Sequence, residues 1–569
     1  MHDLVIKGGN IVDGSGAKAF SADIGIDGGV VTKVGKIDSG RQVIDADGLL
    51  VTPGFVDVHT HYDAQVTWDP YLTPSSNHGV TTVVMGNCGV GFAPCAPEKR
   101  EWLIGLMEGV EDIPGAAMHE GIQWAWESFP EYLDAIEKNK TAIDFATQIP
   151  HGALRAYVMK ERGAANEDAT AEDIQQMHDL VLQGLQAGAL GFSTSRTMLH
   201  KAIDGRYVPG TFAAKDELFG IGKALGKAGH GVFQCATEHA NVPAELDWFD
   251  ALAQEIGRPV SFNLSQIDQD DTLWQQGLKR LENCSNEGGP VIAQVAGRAI
   301  GIIMNWHLTA HPFALHPSFM QVMHESVEER KAVLRNPEFK ERLLNEAPLV
   351  LGEFETFVTT AYHKMFIVKE HMDYEPSEAD SVAAISGRTG KSEKEIIYDA
   401  LSEDDYNGML YFPLFNYSEG NLDVLHELHQ HPQTRMGLSD AGAHCGAICD
   451  GGMPTFMLTH WTRDRSRGAK LELEHVIRRQ TSETAELFGL LDRGLIRPGY
   501  RADLNLIDYE NLQLGRPQIA YDLPAGGRRL LQKARGYRAT IANGVIISEN
   551  DTPTGELPGR LLRGPQSRS

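Results

Sequence analysis

Between Thr170 and Val295 one grammar repeats: an amphipathic helix, a glycine that stops it, and a short apolar strand. Thr170 and Asp173 stand at capping-box spacing ahead of Ile174, Met177, Leu180, Val181 and Leu185, and Gly188 ends that run before Ala189-Leu190-Gly191-Phe192-Ser193. Helical spacing over 216–227, closed by Gly229, leads into Val232-Phe233. The same holds for 246–256 with Gly257 before Val260-Ser261-Phe262-Asn263-Leu264, and for 272–283 before Val291-Ile292-Ala293-Gln294-Val295. A strand reached through a crossover helix lies parallel to its predecessor, so the repetition predicts an α/β fold with a parallel sheet. A chain of 569 residues has room for enough such units to favour a closed (β/α)8 TIM-type barrel with insertions. An open doubly wound sheet is the alternative that repetition alone leaves.

The two ends of the chain read differently. Leu4-Val5-Ile6, Asn10-Ile11-Val12, Ile24-Gly25-Ile26 and Val30-Val31-Thr32-Lys33-Val34 are short strands broken by glycine turns. The pattern returns in Ala502–Asp508 and in Ala539–Ile547, the latter with an Asn543-Gly544 hairpin signal. The expected organisation is therefore a small β-sandwich built from both termini (1–54 and 491–555) around a barrel domain (55–490). Charge patterning and the Ser392-x-x-Glu395 cap predict a helical insertion over 317–421, a candidate lid at the site mouth. Glycine and proline interrupt the remainder, so 556–569 is expected to be a mobile tail.

Composition narrows the class of partner. Hydrophobic residues make up 42% and charged residues 22%, as in ordinary globular proteins. Against 77 Asp and Glu stand 51 Lys and Arg, a formal charge of -26 that repels nucleic acid and anionic membrane surfaces. Neither is an expected partner. The N-terminus has no basic stretch followed by an apolar one, and no apolar run approaches about 18 residues, which predicts a cytoplasmic protein. Six cysteines in a chain this long do not make a disulfide scaffold and are expected to be free thiols. A small-molecule substrate, with a homo-oligomer as the fold-level expectation, remains.

The strongest local signal is Gly54-Phe55-Val56-Asp57-Val58-His59-Thr60-His61-Tyr62-Asp63, an apolar strand running into two histidines one residue apart. Side chains at i and i+2 share a face, so at the C-terminal end of a barrel strand His59 and His61 would present two imidazoles to one metal ion. An isolated His-x-His is equally compatible with a plain core or surface pair. Gly437-Leu438-Ser439-Asp440-Ala441-Gly442-Ala443-His444 supplies a second such strand end carrying a carboxylate, unless Asp440 only shapes a turn. Cys88, after Val83-Val84-Met85-Gly86-Asn87, is a third; it is a zinc thiolate ligand or a small buried hydrophobe.

Taken in order, several segments carry a resemblance that spans nearly the whole chain. They are Leu4–Gly9, Pro53–Asp63, Gly86–Gly89, His151–Arg155, Gly191–Ser195, Ser439–His444 and Arg497–Asp503. In these the chain resembles the amidohydrolase superfamily and, within it, the N-acyl-D-amino-acid deacylase (D-aminoacylase) group. The resemblance implies a (β/α)8 barrel flanked by a β-sandwich. It also implies His59 and His61 as first-strand metal ligands, Cys88 as a thiolate ligand, and Asp440 as ligand and catalytic proton carrier. Relatives with a tightly bound zinc place two further histidines at mid-barrel strand ends, where this chain reads Val232–Thr237 and Phe262–Gln266 with none at the expected place. His239 lies slightly beyond the first of these. The expectation is one divalent ion per chain, zinc first among candidates, held by His59, His61, Cys88 and Asp440.

The reaction expected is hydrolysis of a linear amide, an N-acyl-D-amino acid giving a carboxylate and a D-amino acid. A substrate carboxylate calls for a guanidinium, and Arg155 and Arg196 follow probable strand ends; Tyr207 is a further candidate contact and Arg298 a weaker one. Trp306, His307 and His311 either line an acyl pocket or belong to the core. The alternatives are a cyclic-amide hydrolase of the hydantoinase or dihydroorotase type and a noncatalytic assembly protein on the same scaffold.

Overall fold

The structure, a computed structural model, describes residues 1–285 and 288–568. At its centre run parallel strands β1 (Phe55–Asp57), β2 (Val80–Met85), β3 (Asp144–Thr147, resumed after Gln148 by Ile149–Pro150), β4 (Gly191–Ser195), β5 (Val232–Ala236), β6 (Val260–Asn263), β7 (Val291–Val295) and β8 (Thr434–Met436). They pair in sequence order, as a three-stranded sheet through β3 and a six-stranded sheet from its second half to β8. Gln148 bridges the break, donating its N–H to Met85 O. Just beyond the strand ends β8 meets β1: Asp440 N donates to His59 O, and His61 N to Ala441 O. Every residue of β2, β4, β5 and β7 is buried. Burial on both faces follows from the helices that cover the outer face of a parallel sheet.

The helix signals hold locally. Thr170 caps Ala171–Ala187 with the reciprocal Asp173 bond, and Ser392 accepts from Glu395 N at the start of Glu393–Tyr406. Helices Lys215–Ala228 and Val242–Ile256 end at Gly229 and Gly257, both left-handed.

Both termini enter one nine-stranded sheet, with Leu504–Ile507 antiparallel to Leu50–Pro53. Its apolar face has its own core, including Leu4, Ile6, Ile24, Ile26, Val51, Leu504, Leu506 and Ile541. The sheet turns back on itself: edge strand Val30–Gly35 returns to Tyr500–Ala502, where Val31 N donates to Tyr500 O and Ala502 N to Gly29 O. Gly29 has φ +80°, and a side chain there would meet Asn543 Oδ1 at 2.4 Å, so the return requires glycine. A buried ionic cluster fixes this sheet to the bottom of β3: Asp144 accepts from Arg493 Nη1 (2.8 Å), Arg501 Nη2 (3.0 Å) and Arg560 N (3.0 Å).

Two sequence expectations are corrected here. The insertion begins before residue 317, because Ile300–Met304 pairs antiparallel with Leu410–Phe415 rather than joining the parallel sheet. Together with the intervening helices these strands enclose a separate core around Trp306, Phe313, Phe319, Leu343 and Tyr398. Trp306 and His311 are thus core residues of that unit, in ring contact at 5.2 Å. The tail does not hang free: Leu562 N donates to Phe145 O, Gly564 N to Gly188 O, and Leu561 and Leu562 are buried. Two leucines in a glycine- and proline-rich stretch suffice to dock it, and Arg563 adds contacts to Asp134 and Glu137.

Among the described residues no helix is long and apolar enough to cross a membrane.

Candidate metal centre

The C-terminal ends of β1, β2 and β8 bring three sequence segments to one point. Asp57 closes β1 by accepting His59 N (3.1 Å) on one oxygen and Ser439 Oγ (2.5 Å) on the other, which locks the β1 end to the segment after β8. His59 Nδ1 lies 2.6 Å from Gln294 Oε1. Because the amide nitrogen of Gln294 donates to Ser261 Oγ (3.1 Å), that oxygen is an acceptor, so His59 donates from Nδ1 and turns the lone pair of Nε2 into the site. Nε2 of His59 lies 3.2 Å from Cys88 Sγ and 3.2 Å from Asp440 Oδ1. Nε2 of His61 lies 3.4 Å from the same carboxylate oxygen.

His59, His61 and Cys88 therefore offer donor atoms within 4.8 Å of one another, all buried. Both nitrogens of His61 are buried without a well-formed hydrogen bond, each facing only a carboxylate, Glu111 at Nδ1 (3.3 Å) and Asp440 at Nε2 (3.4 Å). Two imidazoles, a thiol sulfur and a carboxylate converging on a point with a ring nitrogen that lacks a well-formed hydrogen bond fit a zinc-like divalent ion.

The backbone is bent to achieve this. Cys88 (φ +56°) and Asp440 (φ +47°) both occupy the left-handed region that non-glycine residues avoid, at a cost of about 1–3 kcal/mol each. Cys88 is held there by its N–H to Gln234 Oε1 (3.0 Å). Next to it, a side chain on Gly89 would meet Ser195 N at 2.9 Å. The loop after β2 can approach β4 that closely only as glycine.

Electrostatics divides the two histidines. Burial drives His59 down to about 4, against the attraction of Asp440. Burial also opposes charge on His61, but Glu111 and Asp440 outweigh it and raise that imidazole. Burial opposes ionisation of Asp440 too, yet His59 and His61 hold its carboxyl well below the usual range. Burial pushes the Cys88 thiol up to about 12 in the absence of a cation.

Sequence reasoning missed Glu111, the last residue of helix Arg100–Glu111. It is buried, with Oε1 3.3 Å from His61 Nδ1 and Oε2 3.6 Å from His444 Nε2. No spacing links it to the other site residues. Gln294, apolar-flanked on β7, was likewise unmarked.

The sequence-predicted substrate contacts are corrected. Arg155 is buried and committed to Glu217 (Nε to Oε1, 2.7 Å) and to Glu167 O, while His151 binds the same Glu217 at 2.9 Å. Arg196 donates to Ala213 O (2.7 Å) and faces Glu245. Tyr207 packs against Phe212 under Lys201. Arg298 pairs with Asp450 beneath the ring of Tyr374. None of the four lines the cavity above the metal ligands, a space of about 240 Å³. His239 does line it, with its ring on Phe415, but stands outside the cluster of donors. On β5 and β6, where the two further histidines would stand, Gln234 Nε2 donates to Asn263 Oδ1 (3.2 Å).

A model described as "Amidohydrolase family" matches residues 42–548. The D-aminoacylase of Alcaligenes xylosoxydans xylosoxydans is 27% identical, covering 98% of this chain and 97% of that protein. The N-acyl-D-aspartate deacylase of the same organism is 25% identical over 98% of this chain and 95% of its own length. Among solved structures, an N-acyl-D-glutamate deacylase from Bordetella bronchiseptica, complexed with zinc and a phosphonate mimic of the tetrahedral intermediate, shares the fold. Its TM-score is 0.66 at 22% identity, over 99% of this chain and all of that one.

Proposed function

The chain belongs to the amidohydrolase family, and we propose that it is a metal-dependent hydrolase of a linear amide bond of the N-acyl-D-amino-acid type. The observation that carries this reading is the position of Asp440 Oδ1, 3.2 and 3.4 Å from the Nε2 atoms of two histidines that share a donor cluster with Cys88. His59, His61, Cys88 and Asp440 would hold one divalent ion, zinc being the match to this donor set. Such an ion supplies acidity to water and polarises an amide carbonyl.

The protein's own groups do the rest. His59 and His61 keep Asp440 ionised, so its carboxylate accepts the proton of the attacking water. It then delivers that proton to the amide nitrogen, without which the amine cannot leave. Gln294 and Glu111 keep the two imidazoles turned toward the site.

One ion rather than two is supported by β5 and β6, where Gln234 donates to Asn263 and accepts from Cys88 N in place of further histidine ligands. Among the described residues no lysine lines the cavity, so the carboxylated lysine that bridges two ions in cyclic-amide hydrolases has no counterpart there. The reading includes a closed (β/α)8 barrel, supported by the β1–β8 bonds, and a terminal β-sandwich, supported by the sheet that turns back at Gly29. We place the barrel at 55–490 and the protein in the cytoplasm, as a homo-oligomer.

The test measures metal per chain on protein purified without added metal, then hydrolysis of N-acyl-D- and L-leucine and of their carboxamides. About one ion with D-selective cleavage supports the reading. Metal-free protein that cuts none of the four returns the chain to the noncatalytic class.

A further inference from the structure

The cavity above the donor cluster has two walls of different chemistry. One comes from the ends of β5 and β6 and is polar, lined by Thr237, His239, Asn263 and Ser265. Ser265 Oγ and His239 Nδ1 are buried there without partners, which leaves two hydrogen-bonding positions for a bound molecule. The other wall comes from the inserted unit and is apolar. Ile300 and Ile302 of strand Ile300–Met304, Leu414 of strand Leu410–Phe415 and Phe354 of helix Glu353–Thr360 face the same space. His61, Cys88 and Asp440 line that space too, so an amide cleaved at the donor cluster is in reach of both walls.

The apolar surface continues outward. Leu199 and Phe354 line the cavity yet are 43% and 38% exposed, and just ahead of Phe354 the chain exposes Leu349 (46%), Val350 (80%) and Leu351 (67%). Scattered exposed hydrophobic residues are ordinary, but a run of them beside an apolar pocket marks a binding surface. An N-acyl-D-amino acid has two arms that differ in the same way as the walls. Its carboxylate and side chain branch from one carbon, and the carboxylate takes the hydrogen bonds of the polar wall. The acyl chain leaves from the other side of the amide carbonyl, and its length is limited only by the parent acid. Each methylene moved from water onto an apolar wall is worth about fourfold in binding.

We propose that the inserted unit is a platform for the acyl chain, and that the preferred substrates are N-acyl-D-amino acids with a medium or long hydrocarbon acyl group rather than N-acetyl ones. Ile300, Ile302, Leu414 and Phe354 hold the first carbons of the chain, and Leu199 with the 349–351 segment holds those that emerge at the rim. This rests on the linear-amide reading and specifies one arm of its substrate.

The test uses the full-length, zinc-loaded protein with N-acetyl-, N-butanoyl- and N-octanoyl-D-leucine and with N-acetyl-D-alanine. From acetyl to octanoyl, kcat/KM is expected to rise at least about 100-fold. In a Leu199→Ala/Phe354→Ala double variant the octanoyl-to-acetyl ratio is expected to fall at least about tenfold. A flat or falling chain-length profile, or a ratio unchanged in the double variant, overturns the proposal. So does a preference for D-leucine over D-alanine that exceeds the preference for octanoyl over acetyl, because the apolar wall would then hold the side chain. Calorimetry on the Asp440→Asn variant separates the two readings. If nothing is hydrolysed while N-octanoyl-D-leucine still binds at least about tenfold more tightly than N-acetyl-D-leucine, the amide-hydrolase reading falls and the acyl platform stands. Equal binding without hydrolysis overturns both.

Discussion

Glu111 Oε1 lies 3.3 Å from Nδ1 of His61, so a carboxylate from a helix end faces the side of the imidazole that points away from the donor cluster. Such partners fix the orientation of a metal-binding ring and raise its basicity. Glu111→Gln is expected to weaken metal affinity by about 10–100-fold while leaving the thermal transition of the metal-free protein near that of wild type. Competition with a chelator reads the affinity; an unchanged value would remove Glu111 from the site.

Asp440→Asn keeps the shape of the side chain but removes proton acceptance. We expect kcat to fall by at least about 1,000-fold with little change in the circular dichroism spectrum. Activity within tenfold of wild type would sink the assignment of Asp440 as proton carrier.

Cys88 and His59 sit 3.2 Å apart at the centre of the cluster. Each of Cys88→Ala and His59→Ala is expected to lower metal content from about one ion per chain to near zero after dialysis. Elemental analysis decides it, and full retention in either variant would exclude that residue as a ligand.

Arg155 carries a structural load. Replacing it with Ala leaves the buried Glu217 without its guanidinium, at an expected cost of about 3–5 kcal/mol in denaturant unfolding. KM of the surviving enzyme should stay within about twofold of wild type. A selective rise in KM for acidic substrates with stability intact would restore the substrate-binding role.

Glu375 sets an acid limit on the fold. Burial disfavours its charge, but His460, Arg465 and Leu422 N hold it down to about 2. A depressed carboxyl stabilises the fold fully above its unfolded value near 4.5, and that contribution disappears as pH falls toward about 2. The stability gap between wild type and Glu375→Gln should be about 2–3 kcal/mol at pH 6 and clearly smaller at pH 3. A gap independent of pH over that interval contradicts the assignment.

His59, His61, Cys88 and Asp440 were legible as candidates because each lies shortly after a short apolar strand, where such folds gather function, and the resemblance joined them into one proposed set. Glu111 could not. It arrives through the packing of a helix whose own pattern is merely amphipathic. Arg155 and Arg196 misled for a related reason: position after a strand marks proximity, but the acid that claims a guanidinium, Glu217 or Glu245, lies many residues downstream. The repeated helix and strand units between 170 and 295 were legible because each is local in sequence. Ile300–Met304 was not, since an apolar run of five residues looks the same whether its neighbour is parallel or antiparallel.

Leu50–Pro53 pairs with Leu504–Ile507, so this strand meets that partner only after the whole intervening chain has been made. At about 5–20 residues per second, the ribosome takes roughly 20–90 seconds to cover that separation. For that interval Leu50–Pro53 carries a bare edge, the kind of template that recruits other nascent chains. The β1–β8 bonds likewise await Asp440 and Ala441. Production of this protein should therefore respond to translation speed and to chaperones that shield strand edges, more than to any property of the finished metal site.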